Sequence, residues 1–145
     1  MKAKKPAPLL TLVRLYVAVY GRAPDATALA YWRHELTLGT TIATAATILY
    51  SRDEARALFP QGFARGAIAV ALHLSVLGPA HEFSSESLDS LCKAIADRGA
   101  GPAFVEFVTR HGDNEYFTRR VERARRYAEE GGDIAGATAA LNEPA

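Results

Sequence analysis

The run Leu15-Tyr16-Val17-Ala18-Val19-Tyr20-Gly21-Arg22-Ala23-Pro24-Asp25, followed after six residues by the single tryptophan, Trp32, most constrains how this chain can fold. Gly21 supplies the left-handed conformation that stops a helix without a steric cost. Pro24 cannot continue that helix, and Asp25 offers a side-chain acceptor to begin the next. The run therefore predicts helix, tight connection, helix. A fainter copy lies 57 residues later, from Leu72 to Gly78.

The same punctuation recurs along the chain. Leu9, Leu12, Val13, Tyr16, Val17 and Tyr20 follow the i, i+3, i+4, i+7 rule of a helix that starts near Pro8. Leu29, Trp32 and Leu36 predict the buried face of a second helix, ended by Gly39. Thr40 or Thr41 caps a third, with Ile42, Ala45, Ala46 and Leu49 inward. Ser51-Arg52-Asp53-Glu54 fits a capping box opening a short fourth helix to Phe59, before Pro60-Gln61-Gly62 breaks the chain.

Beyond the break, Phe63, Ala67, Val70, Leu74 and Leu77 predict one long inward stripe, stopped at Gly78-Pro79. Ser84 or Ser85 starts a helix carrying Leu88, Leu91, Cys92 and Ile95 inward, ended by Gly99. Phe104, Phe107 and Val108 belong to a helix begun near Pro102. Asp113 is expected to cap a longer helix through Phe117, Val121, Ala124 and Ala128, closed by Gly131-Gly132. A weak last helix carries Ile134, Ala137 and Leu141. With no alternating strand pattern of convincing length, the expected fold is all-α, a compact bundle of about eight helices. The expected organisation is a basic arm over 1–8, one domain over 9–130 and a tail over 131–145.

The domain reads as two divergent tandem units, 9–60 and 63–130. Aligning Gly21 with Gly78 also sets Leu15 on Leu72, Leu29 on Leu88, Leu36 on Ile95, Gly39 on Gly99 and Glu54 on Glu115, with small drifting insertions.

Composition removes several classes of function. Seventeen basic residues against 16 acidic ones give no bulk attraction to nucleic acid or anionic lipid. Cys92 is the sole cysteine, so no intramolecular disulfide and no cysteine-rich zinc site can form. Met1-Lys2-Ala3-Lys4-Lys5 before Leu9-Leu10-Thr11-Leu12-Val13 mimics the start of a signal peptide, but Arg14 interrupts the apolar run. The expectation is synthesis as a soluble cytoplasmic protein with no membrane span.

The residues Leu15, Tyr16, Gly21, Arg22, Pro24, Asp25, Leu29, Tyr31, Trp32, Leu36 and Gly39, closed by Ser51 with Asp53 or Glu54, form a pattern spanning about 45 residues. This pattern resembles the bacterial domain of unknown function 4214, which is similar to the helical linker domains of phycobilisomes. Ala28 stands where that family usually has glycine, and the second unit lacks both the Arg-x-Pro-Asp turn and the Tyr-Trp pair. The family recurs in secreted repeat proteins, surface-layer proteins and virion structural proteins. The resemblance implies scaffolding or adhesion, with no established reaction.

Candidate chemical groups fail on spacing. His34, His73, His81 and His111 form no His-Glu-x-x-His pair, and Gly99-Ala100-Gly101-Pro102 lacks the remaining glycine of a dinucleotide loop. Cys92 lies among Leu88, Leu91 and Ile95 as a buried thiol. Arg22 is expected to bond the carbonyls that end the first helix. In the run Arg119 to Arg126, the pairs Glu122–Arg126, Arg125–Glu129 and Arg126–Glu130 describe a self-neutralised solvated face, which argues against nucleic acid. The sequence therefore predicts no enzyme, cofactor or metal. It predicts a structural or adaptor protein that contacts other subunits or its own copies, and the resemblance implies a virion or an extracellular assembly as its setting. Tyr20, Arg22, Tyr31, Tyr50, Arg119, Arg123 and Arg126 are the candidate partner surface. The alternative is a carbohydrate- or cell-surface-binding module with exposed tyrosines as stacking platforms.

Overall fold

A computed structural model describes residues 8–59 and 65–142. Among these residues it contains eight α-helices and no strand: α1 (Pro8–Tyr20), α2 (Ala26–Thr37), α3 (Ile42–Ser51), α4 (Arg65–Leu77), α5 (Ser85–Arg98), α6 (Ala100–Arg110), α7 (Glu115–Glu129) and α8 (Ala137–Ala140). Short 3-10 turns cover Asp53–Ala57 and Ile134–Gly136. No described helix is long and apolar enough to cross a membrane. Met1 to Ala7, most of the expected basic arm, and Phe63 of the expected α4 stripe lie outside the described residues.

The bundle is organised around α1. From Thr11 to Tyr20 every residue but Arg14 is buried, so the helix is covered on all sides and not along one stripe. It packs against α2, α3, α4, α6 and α7. An amphipathic reading captured only part of this, because Leu15, Ala18 and Val19 also sit in the core. A helix that is apolar all round must be surrounded, and here five others surround it.

Local signals place most boundaries where the sequence puts them. Asp25 accepts from the Ala28 N–H, Thr41 from Thr44 and Ser84 from Ser87, each at a helix N-terminus. Gly21 ends α1 at φ +67° and Gly78 ends α4 at φ +94°.

Three expectations are corrected. Ser51 opens no capping box: it is the last residue of α3, and its hydroxyl donates back to the Ile48 carbonyl. The inward stripe of α4 is Ala69, Leu72, His73, Val76 and Leu77, while Leu74 is exposed. α6 begins at Ala100, near Pro102 as expected, and shares Gly99 as its boundary with α5. Asn114 rather than Asp113 caps α7, its Oδ1 accepting from Phe117 N at 3.0 Å. That last distinction is measurable: Asn114→Ala should cost about 1 kcal/mol in chemical denaturation, and Asp113→Ala only a fraction of that.

The segment after Gly131 is no tail as far as it is described. Ala137 and Leu141 join the core, the Ala23 N–H donates to the Ala137 carbonyl, and the Ala26 N–H donates to Gly132. Residues 131–142 thus close the connection between α1 and α2 from outside, and the domain does not end at residue 130.

The two stretches read as units each open with three helices, but the first ends in a 3-10 turn where the second has α7, and their packing differs. α1 and α4 are each 13 residues long. They meet where the Ser75 hydroxyl donates to the Ala18 carbonyl at 2.7 Å, across the same 57-residue offset that aligns the sequences. Elsewhere the plan diverges. In the first unit α1 carries both α2 and α3; in the second, α5 bridges α4 and α6. The most extensive helix pair, α3 with α6, joins the units to each other.

Candidate functional site

The motif residues of the first unit converge on one buried network. Arg22, 7% exposed, leaves the end of α1 and lies 5.3 Å from the ring centres of both Tyr16 and Tyr20. Its Nε and one terminal nitrogen fork onto the two oxygens of Glu54, and the other terminal nitrogen donates to the Ala23 carbonyl. The hydrogen bond and charge of Glu54 hold the guanidinium above its usual range, against the opposing effect of burial. Such a planar two-point grip is specific to arginine, and lysine would not reproduce it.

The aromatic members are equally committed. Trp32, 1% exposed, donates through Nε1 to the Tyr16 hydroxyl at 3.1 Å. Tyr20 donates to the Leu49 carbonyl at 2.9 Å, and burial pushes its phenol up to about 12. Leu15, Pro24 and Leu29 are buried, Leu36 is half-buried, and Gly39 turns the chain at φ +103°. Tyr31 alone among the motif's aromatics is exposed, with its ring edge-on to Trp32.

Two expectations about Arg22 and one about Tyr20 are thereby corrected. Arg22 bonds Glu54 and the Ala23 carbonyl rather than the carbonyls ending α1, and its burial removes it from any partner surface. Tyr20 is buried too, so it offers no face to a ligand. Glu54 enters the sequence pattern as an acidic residue closing the motif. The sequence placed it in a capping box, whereas the structure turns it across 32 residues to Arg22.

The rest of the candidate surface divides. Tyr50 is half-buried, packed edge-on against Phe59 and Phe104 beneath the Arg56 guanidinium. Tyr31 stands by itself on α2. Arg119 and Arg123 share a cleft on α7 with Tyr116 and Arg120, while Arg126 faces Glu122 at 4.0 Å and stays outside that cleft. Arg119 pairs with Glu115, and Arg125 with both Glu122 and Glu129. The self-neutralised face is therefore real around Arg125, but the pairing of Arg126 with Glu130 is not made. Arg120 and Arg123 turn inward instead, to the Ser75 and Leu141 carbonyls at 3.1 and 3.2 Å.

A second polar junction lies between α4 and α5. His73 is fully buried, its Nδ1 against the Ala69 carbonyl at 2.8 Å and its Nε2 against the Ser87 hydroxyl at 2.7 Å. A carbonyl only accepts, so Nδ1 carries the proton and Nε2 receives the Ser87 O–H. Phe107 lies between His73 and His111, edge-on to the first ring and tilted against the second. Ser87 also lines a cleft whose Glu106 bridges Arg98 and Arg110 at 2.5 and 2.9 Å. The histidine fastens α4 to α5, which periodicity could not reveal because a lone polar residue reads as surface. Cys92 is half-buried on the apolar side of α5. Among the described residues no group of three His, Cys, Asp or Glu side chains could hold a metal ion.

Burial pushes both His73 and His111 below the usual histidine range. The unfolded chain then takes up protons before the folded one does. The histidine contribution to stability is complete above a pH of about 6.5 and is lost as pH falls toward the lower folded values. Arg125 lowers Glu122 in the folded state, so that contribution fades only at more acidic pH, below the ordinary glutamate value of 4.5. Denaturation midpoints should therefore fall between pH 7 and 5, and the slope should shrink in His73→Gln with His111→Gln.

Compared with known proteins, the chain matches no family model, no curated protein and no solved structure.

Proposed function

We propose that this chain is a non-catalytic helical adaptor or structural subunit that holds other proteins, or its own copies, in an assembly. One observation carries the reading. Three large apolar side chains, Leu58, Leu74 and Tyr116, are left 37 to 42% exposed around a single groove edged by arginine. Scattered surface apolar residues are ordinary, whereas a shared patch beside a groove is typical of contact surfaces. The motif supports this indirectly. Its arginine, tryptophan and Tyr16 are all consumed by internal packing, leaving the fold's outer faces for recognition.

We extend the reading to kinship with the domain of unknown function 4214, and through it to virion or extracellular assemblies, on the motif residues alone. Size-exclusion chromatography with light scattering, together with affinity capture from the native source, tests the proposal. Assembly into a complex or homo-oligomer is expected. A strict monomer at tens of micromolar that captures no partner would sink it.

The alternative, a glycan- or surface-binding module, keeps only Tyr31 of its three tyrosine platforms, because Tyr20 is buried and Tyr50 is packed within an aromatic cluster. A glycan array read with Tyr31→Ala as control decides it.

A further inference from the structure

The groove between α4 and α7 carries a buried polar atom with no partner among the described residues. Arg120 enters it from α7 with its guanidinium 5.2 Å over the Tyr116 ring. One terminal nitrogen donates to the Ser75 carbonyl, and Nε is buried with no hydrogen-bond partner. Burial pushes this arginine below its usual range, opposed only by the hydroxyl of Tyr116. Arg22, the most buried arginine, instead grips the Glu54 carboxylate through Nε and one terminal nitrogen. Among the described residues Arg120 pairs with none.

The surroundings repeat the theme. On one side of Arg120 the groove is apolar, with Leu58, Ala71, Leu74 and Tyr116 enclosing about 490 Å³. On the other side lies the cleft of Arg119 and Arg123, where among the described residues the only carboxylate is Glu115, already engaged with Arg119. Tyr116 is fixed at the centre because its ring packs across the Gly78 turn, where a Cβ would come within 3.1 Å of the ring. The site therefore presents bulky apolar contacts next to a cation that has no counter-charge among the described residues.

We propose that this groove binds a segment of a partner protein that carries a carboxylate beside a bulky apolar residue. The carboxylate pairs with Arg119 and Arg120, and the apolar side chain covers Leu58, Leu74 and Tyr116. A half-buried charge without a partner is costly to the free protein, and an incoming carboxylate removes that cost on binding. Each neutral or basic competitor leaves the arginine uncompensated, which makes the groove selective as well as adhesive. This inference rests on the adaptor reading above and names the chemistry of its partner.

Fluorescence anisotropy with a fluorescein-labelled peptide of Leu-Glu-Glu repeats, against a Leu-Lys-Lys counterpart, tests it on the full chain. The acidic peptide should bind at least about tenfold tighter than the basic one, a difference of roughly 1.4 kcal/mol. Leu74→Asp and Arg119→Glu, both at exposed positions, should each weaken it by about tenfold or more. Arg120→Met should weaken it similarly while leaving the melting temperature unchanged or higher, because the free protein loses an uncompensated charge. Equal binding of both peptides would overturn the proposal, as would tighter binding of a short DNA duplex than of the acidic peptide. A lowered melting temperature in Arg120→Met would assign the arginine to the fold. Tighter peptide binding after removal of residues 143–145 would assign the groove to the chain's own end. If complexes form in solution but ignore Leu74→Asp, the adaptor reading stands and this groove falls; if none forms, the adaptor reading itself fails.

Discussion

Trp32→Ala should lower the unfolding free energy by about 3–5 kcal/mol, the usual loss for emptying a buried tryptophan site. At roughly 3 °C per kcal/mol for a domain of this size, calorimetry should show the melting temperature fall by about 10 °C or more. The site explains the size of the effect. Trp32 is 1% exposed, its indole N–H bonds Tyr16, and Tyr16 in turn flanks Arg22. Removing the ring therefore leaves a cavity and withdraws a donor from the hydroxyl beside the Arg22–Glu54 pair. Trp32→Phe separates the two contributions: it retains most of the apolar volume but loses the hydrogen bond, and should cost about 1–2 kcal/mol. A Trp32→Ala protein that melts within a degree or two of the parent would show that the motif does not hold the first unit together.

Gly101→Val should be comparably damaging, by the opposite mechanism. Gly101 lies on α6 where it crosses α3, and an added Cβ would come within 2.7 Å of the Ala43 carbonyl oxygen. The obstacle is backbone, which cannot rotate away as a flexible side chain would. The two helices must separate, and overpacking of this kind costs about 1–3 kcal/mol and occasionally more. Because this pair joins the two units, separation loosens the whole bundle. Gly66→Ala supplies the contrast. An added Cβ there meets nothing within 4 Å, and Gly66 sits in α4 with an ordinary negative φ. Alanine should be neutral or stabilising by up to about 1 kcal/mol. Urea denaturation of the two variants side by side reads both signs, and equal effects would remove close packing as the reason for glycine at 101.

The failures of sequence reading share a pattern. α4 runs Arg-Gly-Ala-Ile-Ala-Val-Ala-Leu-His-Leu-Ser-Val-Leu, with apolar residues on every side, so periodicity cannot choose its buried face. The structure chooses Leu72 and His73 because α1 and α5 lie there, and Ser87 is placed to satisfy the imidazole. Leu74, the apolar residue beside them, is thereby left outside. α7 shows the complementary case. Its apolar residues Phe117, Val121, Ala124 and Ala128 mark one face clearly, and the structure buries all four. What the pattern could not show is that Arg120 and Arg123, flanking that face, reach back to carbonyls of α4 and of the C-terminal segment.

The sequence by itself determined where helices stop and start: Gly21, Gly78 and Gly99 as stops, and Asp25, Thr41 and Ser84 as starts. Those events are decided within one turn of backbone, by the φ that glycine alone adopts cheaply and by a side-chain oxygen reaching an N–H three residues on. Only the tertiary structure decided that α1 is surrounded, that Glu54 answers Arg22, and that Leu58, Leu74 and Tyr116 meet around Arg120. Each of these depends on elements brought together over tens of residues, where burial and charge pairing are properties of the packed neighbours and not of local spacing.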